Sequence, residues 1–185
     1  MNHEPDIVPL RAGAVEMFFE PDTGFLRRIR LGDREVVRCI YGAVRDHNWQ
    51  TPRVQISNIQ KAVGTDNFVL LFDSEVRGRG IHFRWKTSIS GNHNGIVTMT
   101  FNGEALTTFR RNRIGLCVLY PIRECAGAPA RQTRTDGSVV ECQFPERIEP
   151  QIVGQASFRE LRQIAHEVKP DLWAEMTFEG ETFEM

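Results

Sequence analysis

The sequence has no long apolar run, no signal-like pattern in its first six residues and no excess of one charge. No stretch approaches the ~18 apolar residues that a membrane-spanning helix needs. Residues 1–6 read Met-Asn-His-Glu-Pro-Asp, without the basic and apolar regions of a secretory signal. The formal net charge is −1, so no overall positive field favours nucleic acid or an anionic membrane. We therefore expect a cytoplasmic protein with no nucleic-acid partner and no membrane partner.

Short motifs that carry catalysis or bind cofactors are also missing. There is no G-x-G-x-x-G, no Walker loop and no H-E-x-x-H, and a G-x-S-x-G nucleophile elbow is absent. The four cysteines show neither C-x-x-C spacing nor a histidine at zinc-finger distance; they are Cys39, Cys117, Cys125 and Cys142. We expect reduced structural thiols, no metal and no cofactor.

What the chain does contain is a succession of short β-branched and aromatic stretches separated by turn residues. Its 185 residues, 41% hydrophobic and 25% charged, suffice for one globular domain with a core. Turns such as Pro21-Asp22-Thr23-Gly24 and Arg77-Gly78-Arg79-Gly80 punctuate the stretches. This spacing predicts an all-β fold, an antiparallel two-sheet β-sandwich over residues 1–185, with room for one short helix.

Two segments depart from the alternation of apolar and polar residues that is typical of a strand. Ile114 to Tyr120 is apolar or small on both alternating faces, which predicts a core strand covered on each side. In residues 158–168, apolar residues recur every three or four positions, which is typical of a helix. Because the surroundings are β and Lys169-Pro170-Asp171 supplies a turn, we favour a strand paired with residues 172–178 and leave the helix open.

Polar residues beside the core strand are the first candidates for binding. In an extended segment Arg111 and Arg113 share a face, where two guanidinium groups can hold a carboxylate or a polyol oxygen. The alternative is surface or interdomain salt bridges. Asp46 and Trp49 close another apolar strand, and Trp49 either offers a stacking platform for a sugar or anchors its loop by being buried.

His166 and Glu167 are the candidates for catalysis. A histidine and a carboxylate can move protons near neutral pH. Adjacent residues point to opposite faces of a strand, so these two cannot be direct partners without a bulge. A structural role for both is the alternative.

Several segments, taken in order, resemble the N-terminal region of the D-apionate lactonase family. They are residues 25–32, 44–49, 112–121, 135–138, 144–145, 166–168 and 180–185, and the likeness extends over nearly the whole chain. The resemblance implies hydrolysis of D-apionolactone to D-apionate during apiose breakdown. It also implies a galactose-mutarotase-like β-sandwich that precedes a larger glycosidase-like barrel in a longer chain. At Tyr120 relatives often carry histidine before the proline, which weakens a catalytic use of that position.

Three functions follow as hypotheses. The first is an accessory sandwich domain that supports a barrel lying beyond Met185, with a patch of exposed apolar surface and a sugar lactone or sugar acid bound through the full-length protein. The second is a self-contained mutarotase or epimerase, with His166 converging on Glu104 or Glu141. The third is a carbohydrate-binding module without chemistry.

Overall fold

The computed structural model describes residues 7–147 and 158–181. Within these residues the chain forms thirteen β-strands and one short helix, and every strand pair is antiparallel. The chain divides into two compact units, Met1–Tyr120 and Pro121–Met185. The all-β antiparallel sandwich predicted from the turn spacing is confirmed.

The first unit is a sandwich of two sheets. Its nine strands are β1 (Val8–Ala12), β2 (Val15–Glu20), β3 (Phe25–Leu31), β4 (Arg34–Asp46), β5 (Gln55–Val63), β6 (Phe68–Gly78), β7 (Ile81–Gly91), β8 (Val97–Ala105) and β9 (Arg111–Leu119). One sheet has the order β1-β2-β3-β4-β9 and the other has the order β5-β6-β7-β8. Most neighbours are also consecutive in sequence, as tight turns require.

Aromatic side chains fill the space between these two sheets. The ring centres of Phe19 on β2 and Phe72 on β6 lie 5.3 Å apart. At Gly42 on β4 the sheets come so close that an added Cβ would lie 2.8 Å from Nε1 of Trp85 and 3.0 Å from the Phe101 ring. A larger residue at this position would therefore push the sheets apart.

The second unit contains the remaining elements. They are α1 (Ile122–Cys125), β10 (Pro129–Arg134), β11 (Val139–Gln143), β12 (Leu161–Lys169) and β13 (Leu172–Thr177). The four strands form a third sheet, in the order β11-β10-β12-β13. The strand preferred for residues 158–168, with its partner across the Lys169-Pro170-Asp171 turn, is confirmed, and the helix alternative is wrong.

The sequence prediction needs two corrections. It missed β1, whose residues Val8–Ala12 pair with β2. It also expected the strand at Ile114–Tyr120 to be covered on both faces. Instead β9 lies at the edge of its sheet, its apolar residues are half-buried, and 45% of Leu119 is exposed. Whether the two units make up one galactose-mutarotase-like domain stays a prediction.

Candidate functional site

The chain that follows β4 folds back on itself around a buried carboxylate. Asp46, the last residue of β4, is 7% exposed. Its Oδ1 accepts hydrogen bonds from the backbone N–H groups of Asn48, at 2.8 Å, and Gln50, at 2.9 Å. An aspartate that binds backbone groups two residues on stabilises a turn. The role that the geometry gives Asp46 is therefore to hold this turn in place.

Trp49 lies on this turn, next to the start of β9. The guanidinium carbon of Arg113 lies 5.5 Å from the centre of the Trp49 ring, within the range of a cation–π contact. Trp49 is 46% exposed, so the alternative of a buried anchoring tryptophan is wrong. Its backbone has a φ of 65°, an unusual conformation for a bulky residue.

Arg111 and Arg113 enter the same region because β9 pairs with the end of β4. In the register, Arg45 lies opposite Arg113, and Asp46 lies opposite Arg111 across a bulge. Both of these β9 arginines are exposed. Arg111 donates a long hydrogen bond of 3.5 Å to the carbonyl of Asn112, and within residues 7–147 and 158–181 it makes no salt bridge. The structure thus brings together Asp46, Trp49, Arg111 and Arg113.

A cleft opens beside this cluster. Its volume is about 540 Å³, and it is open to solvent, since every lining residue except Pro52 is exposed. One wall is residues 50–53, between β4 and β5, and the other is the turn of the β6–β7 hairpin, at residues 77–79. The turn and the loop thus face each other across the cleft, although they are more than twenty residues apart in the sequence.

Three arginines line the cleft, and sequence reasoning missed all three as site residues. Arg79 donates from Nη1 to the side-chain carbonyl of Gln50, which ties the two walls together. Arg77 is 3.7 Å from Glu75, whose carboxylate lies closer, at 2.6 Å, to His82. Arg53 has no hydrogen bond or ion pair with any part of the chain that the structure describes. Among the described residues the lining contains no carboxylate, and of its three arginines only Arg77 has an ion-pair partner, Glu75.

The second unit holds the two candidates for catalysis. His166 is 3% exposed and pairs with Ala130 and Ala174 in the third sheet. Its ring packs edge-on against Phe144, with ring centres 5.7 Å apart. Glu167 pairs with Trp173 and points to the other face. The structure therefore does not bring His166 and Glu167 together.

The two predicted carboxylate partners of His166 lie in different units. Glu141 pairs with Arg131, one register position from the Ala130–His166 pair, and forms a 2.7 Å salt bridge with it. Glu141 and His166 therefore lie on opposite faces of the sheet, which rules out this pair. Glu104, in the first unit, is exposed and bound to Arg84.

Two further findings concern metals and membranes. Among the described residues, no three His, Cys, Asp or Glu side chains are grouped closely enough to hold a metal ion. The same residues form no helix with the length and apolar character that crossing a bilayer requires.

Comparison with known proteins gives two matches. A protein family described as the N-terminal domain of D-apionate lactonase matches residues 1–185. A D-apionate lactonase from Brucella anthropi is 32% identical over 177 residues, which cover 95% of this chain and 28% of that protein. The chain thus spans little more than a quarter of the relative's length. With its whole length matched, the chain belongs to the family of D-apionate lactonase N-terminal domains.

Proposed function

We propose that this chain is the non-catalytic N-terminal domain of an enzyme that hydrolyses D-apionolactone to D-apionate in apiose breakdown. The observation that carries the proposal is the match of residues 1–185 to the N-terminal domain of the lactonase. The relative has nearly three-quarters of its length outside the matched region. That length is ample for a barrel that holds the catalytic groups.

The domain's own role in this proposal is to pack against the barrel and stabilise it. Val69 and Leu71 alternate with the buried Leu70 on β6 and lie on the outer face of the sheet, 46% and 42% exposed. Exposed apolar neighbours of this kind suit a surface that another domain covers. The four free cysteines suit the reducing cytoplasm.

The mutarotase hypothesis has less support. It needs a histidine and a carboxylate on one concave face, whereas His166 is buried and Glu141 lies on the opposite face of the sheet. A purely carbohydrate-binding role differs from the proposal in requiring that neutral sugars bind to the chain.

The test compares the full-length protein, expressed from its gene, with the 185-residue chain. Lactone hydrolysis adds water at the carbonyl carbon and breaks the ring C–O bond, which releases a carboxylate, a hydroxyl and a proton. Proton release from D-apionolactone therefore measures turnover. We expect turnover by the full-length protein and only the buffer rate with the 185-residue chain.

A cooperative thermal unfolding transition of the 185-residue chain serves as the control that it is folded. Turnover by this chain above the buffer rate, lost in Arg111→Gln or His166→Gln, would overturn the non-catalytic role. A full-length protein that hydrolyses the lactone no faster than buffer would overturn the assigned reaction.

A further inference from the structure

Three arginines line the cleft between residues 50–53 and 77–79, and within the described residues only one of them, Arg77, has a carboxylate partner, Glu75 at 3.7 Å. Within the part of the chain that the structure describes, no acidic residue lines the cleft, and Arg53 and Arg79 make no ion pair. A guanidinium group that has no carboxylate partner attracts an anion. Guanidinium groups are also the side chains best suited to bidentate recognition of a carboxylate.

The walls of the cleft are held in place before any ligand arrives. Arg79 bonds to Gln50 across the cleft. Arg45 donates from Nη1 to Thr51 Oγ1 at 3.0 Å and from Nη2 to the Tyr41 hydroxyl at 3.2 Å, which fixes the loop wall to β4. A preformed site binds more tightly because less conformational entropy is lost on binding.

The hairpin wall has an unfavourable backbone conformation that places an arginine at its tip. Three consecutive residues have positive φ: Gly78 at 143°, Arg79 at 53° and Gly80 at 79°. Glycine adopts such a φ without strain, whereas the Cβ of an arginine makes the same backbone conformation sterically unfavourable. Gly78 pairs with Ile81, so Arg79 and Gly80 are the central residues of a two-residue hairpin turn, of the type that requires positive φ at both positions. The turn thus fixes Arg79 at the tip of the hairpin, beside the cleft.

The polar groups beside the arginines indicate the rest of the ligand. Gln50 and Thr51 add an amide and a hydroxyl to the lining, and both bond readily to alcohol groups. The volume of about 540 Å³ accommodates a molecule of five or six carbons. A carboxylate carrying several hydroxyl groups matches all of these features.

We propose that this cleft binds a sugar acid, with the carboxylate between Arg53 and Arg79 and the hydroxyl groups toward Gln50 and Thr51. The proposal rests on the proposed function for the source of the ligand, because opening a sugar lactone produces a sugar acid. The chemistry of the cleft itself requires only a polyhydroxylated carboxylate. The first unit thereby gains a binding site for the product of the proposed reaction.

Calorimetric titration of the 185-residue chain tests this. The probes are D-apionate and D-gluconate as sugar acids, D-glucitol as the neutral counterpart of gluconate, and inorganic phosphate. We expect 1:1 binding of the sugar acids, at least tenfold weaker binding of glucitol and phosphate, and weaker binding of gluconate at higher salt.

Arg53→Gln and Arg79→Gln should each weaken gluconate binding at least tenfold. Arg34→Gln removes the same charge from an exposed position at the opposite end of β4 and should change binding less than twofold. Thermal unfolding of each variant shows that it is folded. Failure of the sugar acids to bind, equal binding of glucitol, tighter binding of phosphate or an equal loss in Arg34→Gln would each overturn the proposal.

The titration tests the sugar-acid site and the hydrolysis assay tests the proposed reaction, so each proposal can be overturned without the other. Gluconate binding without lactone hydrolysis by the full-length protein would leave the cleft assigned and remove the proposed reaction. Hydrolysis without sugar-acid binding to the chain would do the reverse.

Discussion

The Arg113 guanidinium carbon lies 5.5 Å from the centre of the Trp49 ring, which joins the start of β9 to the turn that follows β4. The exposed ring and the exposed arginine shield one another from water on one side. This contact borders the wall of the arginine cleft, since Gln50 follows Trp49 directly. The contact thus links the binding residues predicted from the sequence to those found only in the structure.

A double-mutant cycle measures the strength of this contact. Trp49→Ala and Arg113→Gln are expected to lower the free energy of unfolding less in combination than the sum of their separate effects. The coupling energy should be about 0.5–1 kcal/mol, as for other exposed cation–π pairs. Urea denaturation gives the four unfolding free energies. The same cycle with Trp49→Phe should keep part of the coupling, and zero coupling with Ala would contradict the contact.

The Asp46 turn depends on an acceptor atom. Asp46→Ala removes the Oδ1 that receives the N–H groups of Asn48 and Gln50, which leaves both donors without this partner. We expect a loss of about 1–3 kcal/mol in the free energy of unfolding. Asp46→Asn retains an oxygen at this position and should lose less than about 1 kcal/mol. Denaturant unfolding provides the values.

Asp33→Ala is the matched control, because Asp33 is exposed in another turn of the same unit. Its effect should stay within about 0.5 kcal/mol. Equal losses in Asp46→Ala and Asp46→Asn would mean that the carboxylate's charge, rather than its acceptor geometry, holds the turn.

The sequence predicted the strands better than their irregularities, and β12 shows why. Leu161 and Ile164 are both buried although they lie three positions apart, a spacing that suggested a helix. The register between β10 and β12 shifts where Thr133 faces Gln163 and Arg134 faces Leu161. A bulge there breaks the two-residue alternation, so a strand acquires the spacing of a helix. Only the pairing partner, which is remote in sequence, settles such a case.

Only part of the candidate site could be predicted from the sequence, and the reason is similar. Arg111 and Arg113 could be selected because they adjoin an apolar strand, and Asp46 and Trp49 because they end one. Local patterns such as these are visible in one segment. The cleft arginines come from a loop and a hairpin turn whose approach depends on sheet packing, and each resembles an ordinary solvated charge in its own segment.

The buried thiol of Cys39 is expected to make the free energy of unfolding fall at alkaline pH. Burial raises the pKa of Cys39 to about 11, from an ordinary 9.0, although nearby Arg27 opposes the shift. The unfolded chain then loses this proton at lower pH than the folded chain does. The contribution to stability is complete below pH 9 and is lost as the pH rises toward about 11, on the order of 2–3 kcal/mol in all.

Urea unfolding between pH 8 and pH 11 measures this loss. Cys39→Ala should be less stable at pH 8, by about 1 kcal/mol, yet lose less stability as the pH rises. Burial also raises the pKa of Tyr41, so Tyr41→Phe serves as the comparison for a second group that acts in the same direction. Parallel pH curves for Cys39→Ala and the unmodified chain would contradict the assignment.

His166 is expected to act through packing and not through proton transfer. It is 3% exposed and lies against Phe144, so His166→Gln should lower the free energy of unfolding by about 1–3 kcal/mol. For the proposed lactonase activity of the full-length protein, kcat and its pH profile should change less than twofold below the unfolding temperature. Removing a general acid or base costs about 10²–10⁴-fold in rate. A loss of that size in a folded variant would make His166 catalytic.

We expect Arg79 to lower the free energy of unfolding through its backbone conformation while its side chain contributes to gluconate binding. At a φ of 53°, Arg79→Gly should relieve backbone strain and raise the free energy of unfolding by about 0.5–1 kcal/mol, while gluconate binding falls at least tenfold. Arg28 is the matched control, an exposed arginine of the same unit with a φ of 51°. Arg28→Gly should gain similar stability without weakening binding. If Arg79→Gly loses stability instead, its bond to Gln50 outweighs the strain, and the hairpin arginine is structural rather than retained for a ligand.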